Sequence, residues 1–275
     1  MALPVFKTVR GAVMPSRVGS IPTRSRFIRR STNRWPGKDL IAMLHRAMTA
    51  LAFVGAGLGS LCLFGCGGGH GGGAVVAPLS ATLLSPAAGQ VYSYNISGTL
   101  VQGGTPTPLT GVVTVTRGAG PVESVLGSVT GGGQVLPLVG SNSFSIDSGT
   151  GDVFATTFHN SAGQHTLTAP VLVLPGTFSD TTAFARAAAA TDDGAVYSIS
   201  FTVIGREVVS VPEGAFTCWK ATQQIVVGTT SDSRTAWYAP QIGTYVKSED
   251  VITDSTQPTV TIDLTRVLIA TNVPH

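Results

Sequence analysis

Charged residues make up only 11 % of the 275 positions and aromatic residues 7 %, while glycine numbers 34. So little charge among so much Gly, Thr, Ser and Val argues for strands joined by turns rather than for helices. Positive charge in particular runs out early. Residues 1–65 hold ten Lys or Arg and one acid, for +9, whereas the rest holds seven and thirteen, for −6, so the overall +3 averages two unlike pieces. No cluster of Lys or Arg follows Arg46, which removes the phosphate contacts that a nucleic-acid groove requires. The G-x-S-x-G elbow that presents a hydrolase serine is missing, and with it the strained turn that such a nucleophile needs. No glycine-rich run sits between a strand and a helix either, so the glycines serve as turns and tether rather than as phosphate loops.

What the N-terminal side does have is one uncharged apolar run. Residues 47–65 carry no charge over nineteen positions, follow His45 and Arg46, and close on Leu63-Phe64-Gly65-Cys66. A short positive start, an apolar middle and a small residue before the cut are the three parts of an export signal. The segment resembles the lipobox signal of bacterial lipoproteins, in which a Leu at minus three, a small residue at minus one and the cysteine are the recognised positions. Leu63, Gly65 and Cys66 match, and Phe64 is bulkier than the usual residue at minus two. The resemblance implies a signal helix within residues 43–65, cleavage before Cys66 and acylation of its thiol. Each buried methylene contributes about 0.8 kcal/mol, so several acyl chains hold where a single one does not. The competing reading is an uncleaved membrane helix, since nineteen apolar residues just suffice to span hydrocarbon. By the same analogy Gly67, standing where Asp would retain the protein, directs it to the outer membrane, facing the periplasm or the cell surface. Residues 1–42 form a basic extension with nine Lys or Arg and a single acid, Asp39. That composition fits either sequence upstream of a true start at Met43 or Met48 or an organelle transit peptide. The lipobox favours the first, and Arg29-Arg30 lie too far from the apolar run for a twin-arginine signal.

Beyond the signal, residues 66–89 read as a tether and linker. Positions 67–73 are glycine broken only by His70, with no side chains to pack, and 74–89 continue as linker or as an extended lead-in. Residues 90–275 form one domain, long enough to bury a core. With Cys62 lost in the signal and Cys66 acylated, Cys218 stays alone and no intrachain disulfide forms. From residue 90 the period is two. Tyr92, Tyr94, Ile96 and Leu100 share one face, and Tyr197, Ile199, Phe201 and Val203 repeat the pattern, as half-buried antiparallel strands do. Val260, Ile262 and Leu264 alternate likewise, with Arg266 interrupting the inward row and marking a bulge. Further strands are expected over 110–117, 122–129, 134–139, 152–158 and 166–174, separated by glycine-rich turns. Residues 180–190 alone look helical, with Asp180 as a cap and four alanines at 187–190. The expected fold is mainly β: a single antiparallel meander, open barrel or sandwich, with one short helix in addition to the N-terminal signal helix.

Two turns punctuate the C-terminal part. Val211-Pro212-Glu213-Gly214-Ala215-Phe216 joins two strands, with Pro212 presetting the backbone and Gly214 completing the turn. Trp237-Tyr238-Ala239-Pro240-Gln241-Ile242-Gly243 joins the next two. The runs VPEGAFTCWKATQQIVV and TAWYAPQIGTYVKSE resemble the closing repeat of a set of bacterial exported proteins and lipoproteins of unknown function, with the pattern V-P-x-G-x-F followed by W-Y-A-P-x-x-G-x-x-V-K. Pro212, Gly214, Phe216, Trp237, Tyr238, Pro240 and Gly243 carry the match, which spans residues 204–250; Glu213 and Gln241 depart from the commoner Ala and Gly. The resemblance implies an antiparallel β domain akin to an open barrel and brings no catalytic residue.

The remaining reactive residues have bland readings. Cys218, between aromatic residues on a strand, reads as a small buried hydrophobe. His159 and His165 flank a loop and read as surface histidines, although a hydrolase would remain open if either lay beside a carboxylate and a nucleophile in one cleft. Asp192-Asp193 with Asp180, and Glu249-Asp250 with Asp254, offer calcium-type oxygens without the spacing of a binding loop. No metal or other cofactor is expected. The sequence therefore points to a lipid-anchored cell-envelope protein, not an enzyme, whose β domain is a structural or interaction module. Its expected partners are the membrane, through acylated Cys66, and an envelope protein or apolar ligand, with no nucleic acid. The alternatives are a carrier of an apolar ligand or lipid and, more weakly, a hydrolase.

Overall fold

The computed structural model describes residues 79–160, 163–255 and 260–275; the signal region, Leu63, Gly65, Cys66 and the glycine tether lie outside them. The chain enters through β1 (Ser80–Thr82) and then lays down β2 (Val91–Gln102), β3 (Thr105–Arg117), β4 (Val122–Gly131), β5 (Gln134–Ile146), β6 (Val153–Asn160) and β7 (Gly163–Leu174). A short strand β8 (Thr177–Ser179) leads to β9 (Ala183–Ala190), β10 (Val196–Val211), β11 (Gly214–Val227) and β12 (Thr230–Ala239). One 3-10 turn, Pro240–Ile242, precedes β13 (Thr244–Asp254) and β14 (Val260–Thr271). Among the described residues no helix is long and apolar enough to cross a membrane.

Twelve of these strands form one antiparallel sheet in the order β7-β6-β5-β4-β3-β2-β14-β13-β12-β11-β10-β9. The path is a meander in two halves. The chain starts at the middle with β2, walks outward to the β7 edge, crosses to the opposite edge at β9, and walks back until β14 lies beside β2. The sheet curls so far that the two edges touch at a single bridge, Leu167 with Thr191. The architecture is thus an open barrel of one sheet rather than a sandwich of two. β1 pairs only with β8, so the lead-in to the domain lies against the crossover between the two edges. Leu83, within the stretch expected to be linker or lead-in, is fully buried.

The inward rows are those the alternation marks. Tyr92, Tyr94, Ile96 and Leu100, then Tyr197, Ile199, Phe201 and Val203, then Val260, Ile262 and Leu264 are all buried in one core. Two expectations fail. Residues 180–190 are not a helix: Ala183–Ala190 pairs with β10, Ala190 opposite Val196 and Phe184 opposite Phe201. Helix propensity is a weak local preference; here it loses to the ladder and to the Phe184 ring, which stacks on Phe201 with centroids 5.6 Å apart and planes 8° from parallel. Arg266 does not mark a bulge either. The register of β14 against β2 slips later, between Leu268 and Ala270, and Arg266 continues the inward row because buried partners meet its charge.

Candidate functional site

The C-terminal motif builds a socket where the chain enters the domain. Pro212 and Glu213 make a two-residue connection between Val211 and Gly214, which face each other across the β10 and β11 hairpin. Phe216 is fully buried, with the His275 ring 4.8 Å from its centroid. Trp237 lies on the outer face of the barrel between two ammonium groups, Lys220 Nζ at 4.8 Å and Lys247 Nζ at 4.6 Å from the ring centroid. Its indole N–H donates to Glu207. Tyr238 turns inward, edge-on to Phe178 at 5.3 Å, and its hydroxyl donates to Gln223 Oε1 at 3.0 Å.

Pro240 opens the 3-10 turn and Gly243 closes it with φ at 69°, a left-handed conformation that suits glycine. Space demands glycine as well: a Cβ there would meet the Leu84 carbonyl oxygen at 2.2 Å. Leu84 N–H donates to Pro240 O at 2.8 Å, and Tyr92 Oη donates to Ile242 O at 2.9 Å. The seven motif residues therefore make one hairpin, aromatic contacts through Phe216 and Tyr238, and a turn gripping Leu84.

Inside the barrel lies a polar network that sequence reasoning missed. Arg234 donates from Nε to Asp250 Oδ1 at 2.6 Å and from Nη2 to Asp232 Oδ2 at 3.0 Å. Arg266 lies 2.8 Å from the other Asp250 oxygen and donates to Tyr245 Oη at 3.0 Å; Ser248 Oγ donates to Asp250 Oδ2 at 2.9 Å. Two guanidiniums and two carboxylates balance, as charges out of water must. Burial pushes the Asp232 carboxyl up to about 6 against the pull of Arg234. A second pair, Arg117 and Glu123, closes one end of the core; Arg117 sits over the rings of Tyr92 and Phe144, and burial pushes the Glu123 carboxyl up to about 7. A signal for this network was present in the alternation, since Asp232, Arg234, Asp250 and Arg266 each hold an inward position on their strands.

Around these groups aromatic rings pack on one another. Tyr94 and Tyr245 pack with centroids 4.9 Å apart, and Phe178 stacks on Phe201 at 5.5 Å. A trough of about 700 Å³ crosses six strands on the outer face, lined by Thr222, Gln224, Thr235, Glu249, Asp263 and Thr265. Hydroxyls, an amide and two carboxylates give it a polar floor. Cys218 is fully buried, and desolvation pushes its thiol up to about 12, which leaves it protonated and unreactive.

The structure assembles one cluster that the sequence did not. His165 is buried rather than on a surface loop, its ring stacked on Phe158 at 5.1 Å. Its Nδ1 lies 2.9 Å from Asp192 Oδ1 and 3.6 Å from Asp193 Oδ2. Asp180, the partner expected for Asp192 and Asp193, does not belong to this group, whose three ligand-type atoms lie within 4.8 Å of one another. Thr191 Oγ1, the hydroxyl in the cluster, directs its proton to Asp193 or to Ala195 O at 3.0 Å. It is a hydrogen-bond donor there. What folding separates in sequence, the β7 strand and the turn after β9, it brings within hydrogen-bond reach.

No family model and no curated protein matches the sequence. Among solved structures, the chain is similar to a protein of Parabacteroides distasonis provisionally described as a lipoprotein, at 12 % identity and a TM-score of 0.36 over 70 % of this chain and 99 % of that one. It is also similar to a protein of Bacteroides fragilis provisionally described as exported and as having a YmcC-like fold, at 14 % identity and a TM-score of 0.34 over 70 % of this chain and 99 % of that one. A porin-like protein of Bacteroides uniformis aligns at 12 % identity with a TM-score of 0.23 over 64 % of this chain and 95 % of that one.

Proposed function

We propose that the chain is a lipid-anchored protein of the bacterial cell envelope, held by acylated Cys66 at the outer membrane, and that its β domain acts as a non-catalytic structural or interaction module. The observation that carries the reading is Leu63-Phe64-Gly65-Cys66 at the end of nineteen uncharged residues, the arrangement a lipoprotein peptidase needs. The character of the interior favours a module over a carrier of lipid, because an apolar ligand requires an enclosed apolar cavity, and here aromatic rings pack on one another beside paired charges. A hydrolase stays the weaker reading because the sequence has no G-x-S-x-G elbow to present a nucleophile. The deciding experiment is palmitate labelling of the full chain in a bacterial host beside Cys66→Ala. Loss of label and release of the variant from membranes are expected; equal membrane retention would mean an uncleaved helix.

A further inference from the structure

We propose that His165, Asp192 and Asp193 form a proton-controlled latch that holds the two edges of the open barrel together. The edges β7 and β9 have little else at this place. Leu167 and Thr191 form the one bridge, Asp192 N–H donates to Thr166 O at 2.9 Å, and Thr168 Oγ1 donates to Ala190 O at 3.0 Å. Two positions from Leu167, the imidazole of His165 reaches across the seam to both carboxylates of the turn after β9. The grip is doubled from the backbone, since Thr166 N–H donates to the second Asp192 oxygen at 3.1 Å.

The three groups are unequally placed. The His165 side chain is 10 % exposed, whereas Asp192 and Asp193 are 50 % and 53 % exposed. The imidazole is thus a fixed element of the wall, pinned by Phe158, and the carboxylates belong to a turn that water can reach. With an imidazolium the trio carries one net negative charge. Without it, the two neighbouring carboxylates of the turn repel each other with no cation between them, and the charge-assisted attraction that ties the turn to β7 is lost. The hydrogen bond from His165 is the first cause that holds the Asp192 carboxyl below its usual range, the same interaction seen from the acid's side. Protonation of the imidazole supplies the positive charge that both carboxylates face, so the latch closes on acidification and loosens toward alkaline pH. Behind it lie Phe158 and Tyr197, rings 5.7 Å apart, which opening would expose. The other ionisable residues on the flanking strands are His159 of β6, Arg186 of β9, and Tyr197, Arg206 and Glu207 of β10.

Hydrogen exchange on the full chain in detergent tests this. After correction for intrinsic exchange, peptides covering residues 164–168 and 190–195 are expected to lose about tenfold in protection between about pH 5.5 and 8, while the pair β2 and β14 does not change. His165→Gln should abolish that dependence and His159→Gln should keep it. Asp193→Asn, at an exposed position that folding tolerates, should reduce it. Corrected protection that is flat in the wild type, or that still varies with pH in His165→Gln or fully in Asp193→Asn, overturns the proposal.

Discussion

At the scale of single residues, the strongest constraint is charge held out of water. Asp250 accepts from Arg234 and Ser248 and lies against Arg266, so removing either guanidinium strands a buried carboxylate. Arg266→Ala is expected to lower the unfolding free energy by about 3–5 kcal/mol, measured by urea denaturation. The pair Asp232→Leu with Arg234→Met, which removes one charge of each sign and leaves Arg266 on Asp250, should cost less than Arg234→Ala alone. Acidity gives a second handle. Glu123 is pushed up to about 7 and Asp232 to about 6 by desolvation, so each binds its proton more tightly folded than unfolded. Between about pH 4 and those values the folded state carries more protons, and stability declines as pH rises. A loss on the order of 3 kcal/mol from about pH 4.5 to 7.5 is expected, with Glu123→Gln removing much of it. An unfolding free energy that instead climbs over that window would contradict the burial of these acids. Asp192, Asp193 and Asp147 are shifted the opposite way, and their contribution is lost only at lower pH.

At the scale of elements, the 3-10 turn and β9 mark the limits of what periodicity can say. Gly243→Ala combines a strained backbone with a Cβ against the Leu84 carbonyl. It should destabilise the domain by roughly 1–3 kcal/mol and release residues 79–84, read as new protease cleavage upstream of Leu84 at temperatures where the sheet is still folded. Cleavage unchanged from wild type would mean the socket does not hold the lead-in. The strands with aromatic and β-branched residues on alternate positions were legible because burial on one face imposes a period of two. β9 was not, since AFARAAAA has little on either face to alternate and its conformation comes from pairing with β10. The motif turns were legible as turns through Pro212, Gly214, Pro240 and Gly243. That the second one clamps Leu84 was not, because the partner lies some 150 residues earlier in the chain.

At the scale of the whole molecule, the mainly β class and the meander followed from turn spacing. The choice of open barrel over sandwich required knowing that β7 and β9 share one crossover and nearly meet. His165 with Asp192 was hidden for the same reason, as was the meeting of Arg234 with Asp250 across strands. The stacked rings and paired charges of the interior also make a prediction at this scale: native mass spectrometry of the Cys66→Ala protein should show the polypeptide mass alone, and a stoichiometric copurified lipid would restore the carrier reading. The pairing of β2 with β14 bears on how such a chain matures. Tyr92 lies opposite Thr271 and Gln102 opposite Val260, so the two central staves come from opposite ends of the domain, and the loop between them is the costliest to close. On the proposed route of export, a chain threaded N-terminus first through a channel cannot hoop its cask until the final stave has emerged. Until then it travels with its greasy flank uncovered, and a nascent form cut short of β14 would lose the middle of its wall and not a fringe.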